Sequence, residues 1–218
     1  MGRQARAEAT RRRIIDAAVE LFIEPGYGET GLAEILARAD VTKGAFYYHF
    51  ESKEAVAAAI IDESVRRVSK ASSAVIASSA PALENIIRST FIVADVKATD
   101  PLVAVGKQLA RSLTQISDHG PKAFVDLTTL FVGQVRAAVD QGDLVADLDA
   151  DEVGAAVWAA VLGSHLLSDA TGEQLPALLE RAWRVLLGGI VGAESLPYFR
   201  DFVTRTYQAY AHAPLTAQ

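Results

Sequence analysis

Residues 40–54, DVTKGAFYYHFESKE, concentrate more hydrogen-bonding side chains than any other short stretch of the chain. Thr42, Lys43, Tyr47, Tyr48, His49 and Lys53 can all donate to or accept from phosphate oxygens and base edges. Catalytic chemistry has no comparable cluster. The histidines, His49, His119, His165 and His212, are scattered with no i,i+4 ligand pair, and no phosphate loop or nucleophile elbow is present. Gly188 to Gly192 has no strand before it and reads as a helix end. Asp147, Asp149, Asp151 and Glu152 lack the spacing of a calcium loop and read as a solvated loop and helix start. With no cysteine, thiolate sites and disulfides are excluded. The expectation is a chain that recognises other molecules, with no enzyme activity, cofactor or metal.

Such side chains need a scaffold. A first helix is expected over residues 10–23, where Ile14, Ala17, Ala18, Leu21 and Phe22 share one apolar face. Glu24-Pro25-Gly26-Tyr27-Gly28 stops it. A second helix over 31–39 turns Leu32, Ile35 and Leu36 inward, and a third over 42–50 follows after a tight turn. Two short helices joined by a turn of about three residues fit a helix-turn-helix, whose second helix enters the DNA major groove. Phe46 and Phe50, four apart, anchor that helix. Thr42, Lys43, Tyr47, Tyr48 and His49 face outward, Gly44 lets the backbone approach DNA, and Lys53 reaches a phosphate. Ser52 caps a long helix running to the Ser78-Ser79-Ala80-Pro81 break. Further helices are expected at 82–98, 101–116, 122–141, 151–170, 174–190 and 196–211, with no strand. Asp151 and Glu152 suit the positive end of their helix.

Bulk properties set the frame. The 218 residues allow an ordinary domain plus a small one, and half of them are hydrophobic. The net charge of −6 is unusual for a DNA binder, but residues 1–13 carry five arginines against Glu8 alone. Screening makes such a local excess count for more than the total. No run of eighteen apolar residues appears, so neither secretion nor a membrane span is expected. The chain is placed in the bacterial cytoplasm, at the nucleoid when bound to DNA.

Residues 10–56 resemble the DNA-binding domain of the TetR family of bacterial regulators. The resemblance rests on Thr10, Ile14-Ile15, Ala17-Ala18, Leu21-Phe22, Gly26-Tyr27, Thr30, Ile35-Leu36-Ala37, Ala39 and above all VTKGAFYYHFESKEAV. It implies an all-α homodimer: a three-helix helix-turn-helix domain (1–56) joined through a long helix to an effector-binding and dimerisation domain (57–218). It also implies repression of transcription from a palindromic, inverted-repeat operator, relieved by a small, largely apolar effector. By position, Thr42, Lys43, Gly44, Ala45, Tyr47, Tyr48, His49 and Lys53 fall where relatives contact DNA, and Thr30 where they meet a phosphate. The turn position that relatives often fill with glycine is Asp40, which tolerates a left-handed backbone better than most residues.

The opening residues and VRAAVDQGDLVADLDADEVGAAV are similar to the γ-butyrolactone-receptor-like branch of actinobacterial TetR regulators. Where that branch has a pocket tryptophan, this chain has Leu127. Pocket candidates are Phe91, Lys97, Gln108, Phe124, Leu127, Thr128, Phe131 and Trp158; Gln108 and Thr128 need partners if buried. Dimer candidates are the small and apolar residues Val157, Ala160, Val161 and Ser164 of one helix and Leu179, Ala182 and Leu186 of the next, although such faces also serve as ordinary core. A regulator of a different effector class, and a helical interaction protein without DNA binding, remain the alternatives.

Overall fold

The computed structural model describes residues 2–76, 80–112, 119–145 and 147–211, and these form ten helices and no strand. They are α1 (Gly2–Ile23), α2 (Leu32–Ala39), α3 (Lys43–His49), α4 (Lys53–Ile76), α5 (Ala82–Thr99), α6 (Pro101–Ser112), α7 (His119–Asp140), α8 (Ala150–Thr171), α9 (Leu175–Ile190) and α10 (Leu196–Tyr210). The expected elements are all present. The clearest difference is α1, which begins at Gly2, so the basic opening is helical.

The chain divides into two compact units: Met1–Val68 with Thr99–Ala123, and Ser69–Ala98 with Phe124–Gln218. The expected domain boundary at residue 56 and the junction at Val68 both fall inside α4. In the first unit α1 packs on α2, α3 and α6. Its core is built from Ile14, Ala18 and Phe22 of α1, Ile35 of α2, Phe46 and Phe50, Val56 and Ile60 of α4, and Val103 and Leu109 of α6. A Cβ on Gly106 would lie 2.4 Å from the Ser64 Cβ, so only glycine permits this approach of α6 to α4. Arg67 ties the same pair of helices together, donating to Asp100 at 2.6 Å while also holding Glu63.

The second unit packs α9 between α8 and α10. Leu83, Ile87 and Phe91 of α5, Val135 of α7, Val157 and Val161 of α8, Leu179, Trp183 and Leu187 of α9 and Phe202 of α10 form its core. Trp183 is 1% exposed, and its indole N–H finds the acceptor that burial demands in Thr90 Oγ1 at 3.0 Å. Asp149 caps α8 by accepting from the Asp151 and Glu152 N–H groups, which puts those two acids in the first turn as expected.

Candidate nucleic-acid interface

The three-residue turn between α2 and α3 is built by the backbone. Asp40 takes φ 50°, ψ 55°; its N–H donates to Ala37 O and that of Val41 to Leu36 O. This is the paired closure that usually employs glycine, and here aspartate tolerates the left-handed geometry. Thr42 then caps α3, its hydroxyl oxygen accepting from the Ala45 N–H at 3.2 Å. Ser52 does the same for Ala55 at the start of α4.

On this frame α3 separates its two faces. Phe46 is fully buried and Phe50 nearly so, with ring centroids 6.0 Å apart. Tyr48 is 73% exposed and Tyr47 48%. Thr42, Lys43 and Gly44 are exposed beside them, and Ala45 and His49 are partly so. Tyr47 stands edge-on against Phe46, and Tyr48 against His49. A Cβ on Gly44 would meet nothing within 4 Å, so no neighbour in the fold requires glycine here.

Two of the expected DNA contacts have other tasks. Thr30 is 1% exposed, and its hydroxyl is directed to Gly26 O at 2.7 Å and Leu21 O at 3.1 Å. That buried bond locks the loop to the end of α1 and takes the side chain away from any phosphate. Lys53 donates to Tyr27 O and Thr30 O, both at 2.9 Å, and its ammonium lies 4.3 Å from the Tyr27 ring centroid. Two of its three protons hold the α1–α2 loop against α4, and one remains. The Tyr27 hydroxyl donates to Glu54 at 3.3 Å, and burial, reinforced by the Glu54 charge, pushes it up to about 12. The sequence reading missed this clasp, because its acceptors are backbone carbonyls.

The pocket candidates scatter. Phe91 is fully buried and stacked on Tyr210. Phe131 and Trp158 are half-buried and face one another at 5.2 Å. Gln108 belongs to the first unit and is exposed. Lys97 is bound to Asp169. The side chains of Phe124, Leu127 and Thr128 lie outside the described residues. A cleft of about 440 Å³ between α9 and α10 is lined by Arg184, Arg200, Asp201 and Thr204, a polar surface unlike the apolar site expected. The acidic run has structural duties: Asp149 caps α8 and Asp151 pairs with Arg136 at 2.6 Å.

Of the dimer candidates, Val157, Val161, Ser164 and Leu179 are buried within their own unit, and Ala160, Ala182 and Leu186 are half-buried. The apolar residues left outside are neighbours of that set: Leu166 and Leu167 on α8 and, most of all, Val185 on α9, 78% exposed. Among the described residues α8 alone is long and apolar enough to cross a membrane; only a third of that window is buried, so much of its apolar surface lies outside its own unit.

Comparison with known proteins agrees with this geometry. Residues 14–60 match the model of bacterial regulatory proteins of the tetR family, and residues 80–192 match the tetracyclin repressor-like C-terminal domain. The A-factor receptor protein of Streptomyces griseus is 30% identical over 192 residues, 87% of this chain and 67% of that protein. A structure of CprB from Streptomyces coelicolor with its biological operator sequence has a TM-score of 0.76 at 31% identity, covering 94% of this chain and 99% of that one. A gamma-butyrolactone receptor structure, an ArpA-like protein, matches with a TM-score of 0.76 at 30% identity over 93% and 99% of the two chains. With its helix-turn-helix built as above, the chain belongs to the tetR family of bacterial regulatory proteins, a DNA-binding and non-catalytic class related to the gamma-butyrolactone-receptor branch.

Proposed function

We propose that this ligand-responsive repressor binds an inverted-repeat operator as a homodimer and is released by a small, largely apolar effector of the γ-butyrolactone kind. The observation that carries the DNA reading is α3, where two buried phenylalanines hold Thr42, Lys43, Gly44, Tyr47 and Tyr48 outward. A helix so presented fits the major groove, and a two-fold dimer sets two of them about 34–36 Å apart, one turn of DNA. Action on chromosomal DNA puts the protein in the bacterial cytoplasm. Val185, Leu166 and Leu167 supply apolar surface for pairing, next to the buried residues first expected there.

The effector class is supported by the relatives named for A-factor and gamma-butyrolactone. Phe131 and Trp158, half-buried and in contact, are the aromatic wall best suited to a small apolar guest in the second unit. Binding shifts the population toward a dimer whose α3 helices no longer match the half-sites.

The test is a fluorescence-polarisation titration of inverted repeats taken from beside the protein's own promoter, at low salt. Saturable binding that competitor of scrambled sequence does not displace is expected, and its absence would refute the operator reading. A thermal-shift panel of butenolides, furans and fatty acyl compounds tests the effector. A ligand at a hundred times its Kd stabilises by about 2.7 kcal/mol, which is readily seen. Stabilisation by an unrelated chemotype alone would overturn the lactone assignment.

A further inference from the structure

We propose that the opening turns of α1 are a second DNA contact: a basic helical overhang that grips phosphates beside the half-site read by α3. The proposal rests on the DNA-binding reading above and adds a surface which that reading does not use. The α1 helix starts at Gly2, yet its first buried side chain is Ile14. Twelve residues before Ile14 extend the helix by about 18 Å at 1.5 Å each. Ala7, Thr10 and Arg11 are half-buried and the other described side chains before Ile14 are exposed. The composition suggests a reason for the extension: Arg3, Arg6, Arg11, Arg12 and Arg13 stand against Glu8, with Arg12 paired to Asp16 at 2.9 Å.

Contacts fix the direction in which the overhang points. Arg13 Nη1 lies 3.5 Å from Asp40 O, in the turn that launches α3. The Arg11 guanidinium lies 5.2 Å from the ring centroid of Phe50, the residue that closes α3. The last turn of the overhang is therefore bracketed by the two ends of the recognition helix. Seven residues make two turns to within about 20°, so Arg6 shares the face of Arg13 and sits about 10 Å further along the axis. Arg6 is exposed, and no carboxylate among the described residues pairs with it.

Charge balance decides what this surface fits. Residues 14–56, the remainder of the head, carry three basic side chains against eight acidic ones. Arg38 is paired with Glu20 at 2.7 Å, and Lys53 is held by carbonyls. Lys43 is then the one cation of that stretch not engaged by an oxygen among the described residues. Such a head would repel a phosphate backbone unless cations came from elsewhere, and α1 supplies them at the correct end. Screening over about 10 Å keeps the acidic body from cancelling them.

The full-length homodimer with Arg6→Gln tests this, titrated against the operator duplex at several salt concentrations. Two lost phosphate contacts, one per protomer, lower the slope of log affinity on log salt by about 1.8, so from 50 to 200 mM the unmodified protein loses roughly 12-fold more affinity than the variant. Discrimination between operator and scrambled duplex is expected to survive, the hydroxyl-radical footprint to shorten, and Arg6→Lys to keep slope and footprint. Tyr48→Ala is the counterpart, losing discrimination while keeping the slope. An unchanged slope and footprint in the Gln variant, with Tyr48→Ala still losing discrimination, would overturn the overhang contact alone. Failure of the unmodified protein to bind any duplex would overturn both readings.

Discussion

Replacing Lys53 with alanine separates two roles that are hard to tell apart by position. As a phosphate contact, Lys53 would matter only with DNA present. As a clasp, it matters to the folded head itself. Its ammonium makes two 2.9 Å bonds to the Tyr27 and Thr30 carbonyls and lies over the Tyr27 ring. A hydrogen bond from a charged donor contributes about 1.5–3 kcal/mol net, and an exposed cation–π contact about 0.5–1 kcal/mol. The site is partly open, so water can replace the lysine at both carbonyls, and the freed chain regains rotamer entropy. A loss of about 2 kcal/mol is the reasonable expectation, or about 4–8 °C in Tm for a chain of this size. Circular-dichroism melts without DNA measure it, and polarisation titrations over a salt series measure the other role. The clasp requires a lowered Tm and an unchanged salt slope. An unchanged Tm with a slope lower by about 1.8 for the dimer would refute the clasp and restore the phosphate contact. A fall in both would assign the third ammonium proton to DNA.

Three other outcomes follow from the same geometry. Asp40→Gly keeps the left-handed turn and relieves its side chain, so urea unfolding should show up to about 1 kcal/mol of added stability; loss of the carboxylate should also tighten operator binding. Tyr27 titrates higher in the folded head than in the unfolded chain, chiefly through burial and then through Glu54. The protonated phenol is the folded form, so its stabilisation is complete below pH 10 and is lost as pH rises toward 12; alkaline melts of Tyr27→Phe should lack that component. Val185→Glu, at a side chain 78% exposed, should change monomer stability by no more than about 0.5 kcal/mol yet dissociate the dimer in sedimentation equilibrium. An intact dimer would move the interface away from that part of α9.

The reading head was legible because its signals are local. The four-residue spacing of Phe46 and Phe50, the cap at Ser52, and the tolerance of Asp40 for a left-handed backbone each act within one or two turns. The structural duties of Thr30 and Lys53 were not legible for a physical reason. Their partners are carbonyl oxygens, which every residue has, so no partner residue type in the sequence announces the bond. The α8 and α9 helices are hard to sort for a different reason. They carry apolar and small side chains on more than one face, and Val161 and Val185 cannot be sorted into core and surface by periodicity alone. Gln108 stood out because a buried amide needs a partner, and it is exposed.

The clasp and the overhang bear on one another. Beside its apolar core the head is held by polar ties: Thr30 to the end of α1, Lys53 to the loop, Arg38 to Glu20. Each tie that uses a cation withdraws it from the phosphates, and the acids that cap and pair within the head add repulsion. Attraction to DNA then has to come from residues with no structural duty, and an overhanging helix end is where such residues can be placed without cost to the core. The consequence is a division between grip and reading. Changes at Arg6 are expected to alter how tightly all duplexes are held, and changes at Tyr47 and Tyr48 to alter which duplex is chosen. Operator choice and overall affinity can therefore vary independently in this fold, through substitutions that leave its core untouched.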